Sequence, residues 1–251
     1  TPINIFITEL NIESSGIQWN SDTIAAKFSF LSGIGKGDVK GDFTIITKNL
    51  NYRLATTIHN FDLNFINQYL KDLTHYGNFR ATLDANLKAT GNFSDAQNLN
   101  TRGKVFVKDF HFGKDSMDDY ASFEKLIVDI NQLNPKNHKY LFDSLLLMHP
   151  YFKYETYDYL DNIGNMFGKK GALVSNANNN SEKFNLVLEI GKYIKVLSKN
   201  FFSSYYQINR LAISNGDMQY NNYALNEKFS VAASSLFVTA DSIDKTHKRV
   251  E

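Results

Sequence analysis

A mainly β fold is predicted: a long curved antiparallel sheet or β groove with two short helices, or alternatively a β-sandwich. Three observations predict it. Apolar and polar residues alternate along most of the 251-residue chain, as half-buried strands require. One alternating pattern recurs at distant places. Helical periodicity is confined to two segments. The length suits a large β domain with ample core, and the reading is one elongated β-rich unit over 1–251.

The pattern first appears at the start. Ile3, Ile5 and Ile7 alternate, and Leu10, Ile12, Ile17 and Trp19 follow. The step of three from Ile7 to Leu10 breaks the parity and predicts a bulge. The same offsets return in Tyr140, Phe142, Leu145, Leu147, Phe152 and Tyr154, and again in Tyr206, Ile208, Leu211, Ile213, Met218 and Tyr220. A partial copy, Val105, Val107, Phe110 and Phe112, stops at Asp119, where an aromatic residue is due. The copies are unevenly spaced, so one supersecondary unit is reused without a solenoid period. Within the last copy, residues 211–220 read as a strand, a turn and the start of a second strand.

The other elements follow in order. Phe43–Thr47 and Tyr52–Ile58 are predicted to form a hairpin around residues 48–51. In Asn60–Leu73, Ile66, Tyr69, Leu70 and Leu73 share a helical face, with Asp62 or Asn64 as N-cap. Between Gly77 and Gly91 a thin apolar face runs through Phe79, Ala81, Leu83, Ala85, Leu87 and Ala89. Leu126, Val128 and Ile130 alternate, as do Phe229, Val231 and Ala233, then Leu236 and Val238. Residues 185–202 carry a helical stripe from Leu186 to Phe201, although their first part also alternates as a strand would. Residues 174–181 read as a flexible polar loop.

Composition excludes several functions. A net charge of +1, from 27 basic and 26 acidic residues, leaves no basic stripe for nucleic acid. No polybasic segment exists to bind anionic lipid surfaces. Cysteine is absent, which removes disulfides, thiolate metal sites and cysteine nucleophiles. No apolar run is long enough to cross a bilayer as a helix. The strand pattern begins at once after Thr1 and the chain stops abruptly at Glu251, so it is read as a fragment of a longer chain.

Candidate chemistry is sparse. His59, His75, His111, His138, His149 and His247 are scattered without ligand spacing, so no metal or other cofactor is expected; His149, beside Pro150, reads as a turn residue. Residues 115–119 cluster oxygen ligands but lack the glycine and distant Glu of a calcium loop. Glu155, Asp158 and Asp161 lie among tyrosines, as in a glycosidase site, provided that Tyr154 and Tyr157 share a face. The glycines of 33–37 read as a tight turn, since no helix follows them. There is no nucleophile elbow. No enzyme is expected.

Residues 206–223, with Phe229–Asp244, resemble the recurring strand unit of the AsmA-like proteins of the bacterial envelope. The run from Ile58 through Leu70 into the glycine-bounded strands of 77–91 and 103–112 is similar to that family as well. The resemblance implies a periplasmic β-rich body, anchored in the inner membrane by a segment absent from this sequence. It further implies an apolar β groove that carries phospholipid acyl chains toward the outer membrane. Candidate groove residues are Leu83, Leu87, Val105, Val107, Leu126, Val128 and Val231. The alternative is a β-sandwich module that binds glycans or a protein partner through Trp19, Tyr154, Tyr157 and Tyr220.

Overall fold

The computed structural model describes residues 6–16, 18, 20–32, 37–67, 78–158, 161–162, 205–223 and 229–244. They form a single 11-stranded sheet. Its strands are β1 (Ile7–Glu13), β2 (Thr23–Ser32), β3 (Gly37–Ile46), β4 (Asn51–Asp62), β5 (Asn78–Asn92), β6 (Asp95–Gly113), β7 (Asp119–Asn134), β8 (Lys139–Met148), β9 (Tyr151–Thr156), β10 (Tyr205–Asn222) and β11 (Phe229–Asp244). From β1 to β8 the chain is an antiparallel meander in sequence order. The predicted β3–β4 hairpin is present, with Ile46 opposite Asn51. β10 then pairs parallel to β8 and β9 and antiparallel to β11.

The recurring pattern has a structural counterpart. Tyr206, Ile208, Leu211 and Ile213 of β10 lie opposite Tyr140, Phe142, Leu145 and Leu147 of β8. Met218 and Tyr220 lie opposite Phe152 and Tyr154 of β9. Every matched position of the second copy thus pairs with its counterpart in the third. β8 and β9 act as one interrupted strand beside the unbroken β10. Residues 211–220 are therefore continuous strand, and the expected turn is a bulge: Asn215 has φ 54° and the β10–β11 register shifts on either side of Gly216.

The parity breaks are bulges too. Glu9, between Ile7 and Leu10, has φ 52°, and the β1–β2 register shifts there. In β8, Phe142 faces Ile130 while Ser144 faces Asp129, which leaves Asp143 as the extra residue. Asp109, between Val107 and Phe110, has φ 50°. Asn and Asp tolerate the left-handed region better than most residues. At Ile208–Leu211 the register with β8 does not shift, because the fault in β8 lies alongside it.

The predicted helix at Asn60–Leu73 is corrected at its start, where β4 continues to Asp62. Asp62 Oδ1 accepts the Asn64 amide at 2.8 Å, and Ile66 and Asn67 are helical. The rest of that segment, the predicted helix at 185–202, the 174–181 loop and Gly33–Lys36 lie outside the described residues. Two short helices are thus not seen among the described residues.

Among the described residues, strands make substantial contact only with their neighbours in the sheet. Among the described residues there is no second packed sheet, so the sandwich alternative is not what forms. Few apolar residues are fully buried, among them Val39, Ala81, Ala85, Tyr140 and Ile208. Cohesion comes from cross-strand pairs, each contributing about 0.2–1 kcal/mol.

Candidate functional site

Residues directly opposite in a sheet share a face, so the pairing register assigns every strand residue to one side. Starting from Ala85 on β5, one row crosses nearly the whole sheet: Phe30, Val39, Ile58, Ala85, Val105, Val128, Leu145, Leu211 and Ala240. The next row holds Phe61, Leu83, Val107, Leu126, Leu147, Ile213 and Val238. On the other side of the first lies a row with Ile12, Phe28, Gly41, Thr56, Leu87, Gly103, Ile130, Phe142, Ile208 and Ile243. None of these rows contains a charged residue. The face is continuous whether neighbouring strands are parallel or antiparallel.

All seven candidate groove residues fall on this face. Leu83, Val107 and Leu126 are consecutive partners, as are Val105 and Val128. Leu87 lies in the adjacent row opposite Gly103, and Val231 reaches the face from β11, opposite Tyr220. Packing on the face is close. A Cβ on Gly41 would lie 2.5 Å from Phe28 Cζ, because that ring lies across the glycine. Phe110 and Phe123 stack at 4.5 Å, and Phe79 meets Phe110 edge-on at 5.6 Å. Toward the sheet edges the face is open: Leu10 is 60% exposed, Ile12 66% and Val231 56%.

The opposite face is mostly polar. Lys104 pairs with Asp129 at 2.8 Å and Lys108 with Asp84 at 2.6 Å. Asp84 also accepts the amide of Asn60 at the β4 bulge, where φ is 48°. Partial burial acts to raise the Asp84 pKa, but the Asn60 amide and the Lys108 ammonium outweigh it and hold the carboxyl below its usual range. A shallow cavity of ≈ 550 Å³ on this face is lined by Glu13, Lys27, Lys40, Asp42, Lys88 and their neighbours. Its charges alternate in sign from strand to strand, Glu13 beside Lys27 and Lys27 beside Asp42. A small apolar patch interrupts the face, with Phe106 opposite Ile127 and Ile127 opposite Leu146.

The aromatic alternative does not form one surface. Tyr154 and Tyr220 stack at 5.9 Å on the apolar face. Tyr157 stacks on Tyr223 at 5.4 Å, and its hydroxyl donates to Glu155 Oε2 at 3.0 Å on the opposite face. Trp19 lies outside the described residues. The same geometry separates the carboxylates of a glycosidase-like site. Glu155 faces one way; Asp161 bridges Thr156 and hydrogen-bonds Tyr154 on the other side.

Sequence reasoning missed the polar cluster beneath β9 and β10. Lys153 and Glu155 are each 8% exposed, Asn221 6% and Asn162 3%. Lys153 pairs with Asp118 and, at 3.6 Å, with Glu155; its ammonium lies 5.1 Å from the centroid of the Tyr120 ring. Asn221 Nδ2 donates to Glu155 Oε1 at 3.3 Å, and Asn162 Nδ2 donates to the Lys153 carbonyl at 2.8 Å. Burial acts to lower the Lys153 pKa, yet the bond to Asp118 and the charges of Glu155 and Asp118 raise it overall. Burial, helped by Glu155, also pushes the Tyr157 hydroxyl well above its ordinary value. This cluster is structural: each member is held by another.

The remaining candidates resolve into local structure. Asp115 Oδ1 accepts the amides of Met117 and Asp118 at 2.8 and 3.1 Å, closing its own turn. His149, φ 47°, sits at the β8–β9 interruption and bridges Glu124 and Asn215 at 2.5 and 3.1 Å. His111 pairs with Asp119 at 2.6 Å. Among the described residues no three metal-ligating side chains converge. Comparison of the chain with protein-family models, with curated proteins and with solved structures yields no match.

Proposed function

We propose that the chain is a non-enzymatic segment of an AsmA-like envelope protein, binding or conducting phospholipid acyl chains along the apolar face of its sheet. In this reading it works in the periplasm, serves lipid homeostasis of the outer membrane, and is held to the inner membrane by an anchor outside this sequence. One observation carries the reading: the uncharged apolar rows run across the sheet with no second packed layer among the described residues.

The dimensions fit a conduit. At about 3.3 Å per residue, the 18 residues of β10 extend roughly 60 Å. One leaflet of a bilayer's hydrocarbon core is about 15 Å thick. The face is thus several acyl chains long, so a chain can be held at successive positions. Each methylene withdrawn from water contributes about 0.8 kcal/mol. A continuous apolar strip lowers the barrier to moving a lipid without needing specific contacts, which accounts for repeated strand faces without catalytic groups.

Native mass spectrometry of the purified chain, followed by lipid extraction, tests the reading. Co-purifying phospholipid is expected, and it should be lost from the double variant Leu83→Asp/Leu87→Asp while the far-UV spectrum stays that of the parent. A parent protein that is lipid-free and takes up no fluorescent phospholipid at micromolar concentration would refute it.

A further inference from the structure

β9 and β10 are parallel neighbours, so the chain that joins them has to run back along the sheet before β10 begins. It leaves from the far end of β9, where Asp161 bridges Thr156. There Asn162 Nδ2 donates to the Lys153 carbonyl at 2.8 Å, and its Oδ1 accepts the Glu155 amide at 3.2 Å. β10 starts at Tyr205, whose amide donates to the His138 carbonyl at 2.9 Å at the other end of these strands. Lys153 lies opposite Gln219, so the return to Tyr205 covers roughly 46 Å at the rise of a strand. Residues 163–204, outside the described residues, reach about 63 Å even at the rise of an α-helix. Two routes exist, one over each face of the sheet.

Handedness separates them. For L-residues, seen from the side-chain face with the strand running upward, a residue's own N–H and C=O point to the right. On the polar face of β10 lie Ser214, Asp217 and Tyr223, which bond toward β8 and β9. The Ser214 carbonyl accepts the His149 amide at 2.9 Å, and the amides of Asp217 and Tyr223 donate to the carbonyls of Pro150 and Thr156 at 2.7 and 2.8 Å. Seen from the polar face, β9 therefore stands to the right of β10; seen from the apolar face, it stands to the left. A crossover in front of the apolar face moves from left to right and is right-handed, as about 98% of parallel crossovers are. A crossover over the polar face would be left-handed.

We propose that residues 163–204 cross the apolar face and lay Leu186, Ile190, Ile194, Leu197 and Phe201 against its rows on β8, β9 and β10. These five recur at the spacing of one helical stripe. Beneath the route Leu145 lies beside Leu211, Leu147 beside Ile213, and Phe152 beside Met218. Phe152 and Met218 are 41% and 47% exposed, so apolar surface remains there to be covered. The opposite route would set the same stripe on Gln207, Asn209 and Asp143, which hydrogen-bond one another, and burying them beneath apolar side chains is costly. The occupant of the face at the junction is thus the chain itself. The rows of the meander, with Leu83, Val107 and Leu126, are left to the acyl chains of the lipid reading.

Cysteine pairs introduced into the whole chain, which has none of its own, test the route with a short bismaleimide and intact mass as the readout. Leu197→Cys combined with Leu211→Cys, on the apolar face, should gain a single linker with both thiols consumed. Leu197→Cys combined with Ala212→Cys, the next residue and on the polar face, should leave the thiols unlinked to each other. Ala240→Cys and Thr239→Cys, opposite those two on β11, repeat the comparison with smaller changes if Leu211→Cys does not fold. Only variants with the far-UV spectrum of the parent are scored. Linking to the polar-face partners, to both faces equally or to neither would overturn the proposal. The readout needs no lipid, so its failure and that of the acyl-chain reading are distinguishable.

Discussion

The meander from β1 to β8 and the parallel junction from β8 to β11 reach one apolar face by different routes. In the meander, most strands meet their neighbours through antiparallel hairpins, and a bulge in one strand shifts the register, as at Glu9 and Asn60. At the junction, two copies of one pattern lie parallel with like opposite like, and their faults coincide so that the register holds. What both regions preserve is parity, meaning which side each apolar residue faces. Strand direction can change without harm to the face; a one-residue slip cannot, because it would turn the rows inside out.

The largest effect is expected where the meander is tightest. Gly103 has φ 130°, and a Cβ there would lie 2.0 Å from the Asn86 carbonyl oxygen. Gly103→Ala should cost about 2–3 kcal/mol, read as a melting temperature lower by roughly 5–10 °C. A melting temperature within a degree of the parent's would mean that the β5–β6 register is looser than described.

At the junction, Lys153→Met leaves Glu155 and Asp118 without their cation. Full burial of such a pair would make this cost about 3–5 kcal/mol, and the half-exposed Asp118 brings the expectation down to about 2 kcal/mol. The pH dependence carries a sign. The folded-state pKa of Lys153 is raised, so its contribution is complete below the ordinary lysine value of 10.5 and is lost as pH rises through the folded value. Tyr151 and Tyr157, also raised, chiefly by burial, lose theirs in the alkaline range as well. Denaturation against pH should show the parent weakening in alkali, with Lys153→Met weakening less.

A smaller effect is expected at Asp84, the meander's polar anchor. Asp84→Asn should cost about 1 kcal/mol at neutral pH. Since the Asp84 pKa is lowered in the fold, its contribution is present above the ordinary value of 3.8 and disappears as pH falls through the folded value. The gap between parent and variant should close on acidification. A gap that persists in strong acid would indicate a packing effect instead of a charge effect. His149→Gln, at an exposed interruption, should change stability least, by under about 0.5 kcal/mol in urea unfolding.

Much of this fold is legible in the sequence because alternation and its faults are local. The steps at Ile7–Leu10 and Phe142–Leu145 mark bulges without any knowledge of partners, and the matched copies foreshadow the pairing of Tyr140 with Tyr206 and Phe152 with Met218. The 211–220 stretch misleads because Asn-Gly is a turn signal, whereas at Asn215 the left-handed conformation makes a bulge inside a long strand. Asn60–Asp62 misleads similarly, since N-cap residues there also extend a strand. The Lys153–Glu155–Asn221 cluster is illegible for another reason. Its members occupy the polar phase of alternation, which reads as solvent-facing, whereas the return of the chain at Asp161–Asn162 lays Asn162 against the backbone of Lys153 and Glu155.

On the proposed lipid reading, acyl chains lie on one face only. The chain contains no cysteine, so single cysteines at Leu83, Val128 and Val231, and on the polar face at Asn86 and Lys104, can each carry one environment-sensitive fluorophore. On addition of phospholipid, the probes at Leu83, Val128 and Val231 should shift to the blue and become shielded from aqueous quenchers, while those at Asn86 and Lys104 stay unchanged. Shifts on the polar face, or on neither, would contradict the account.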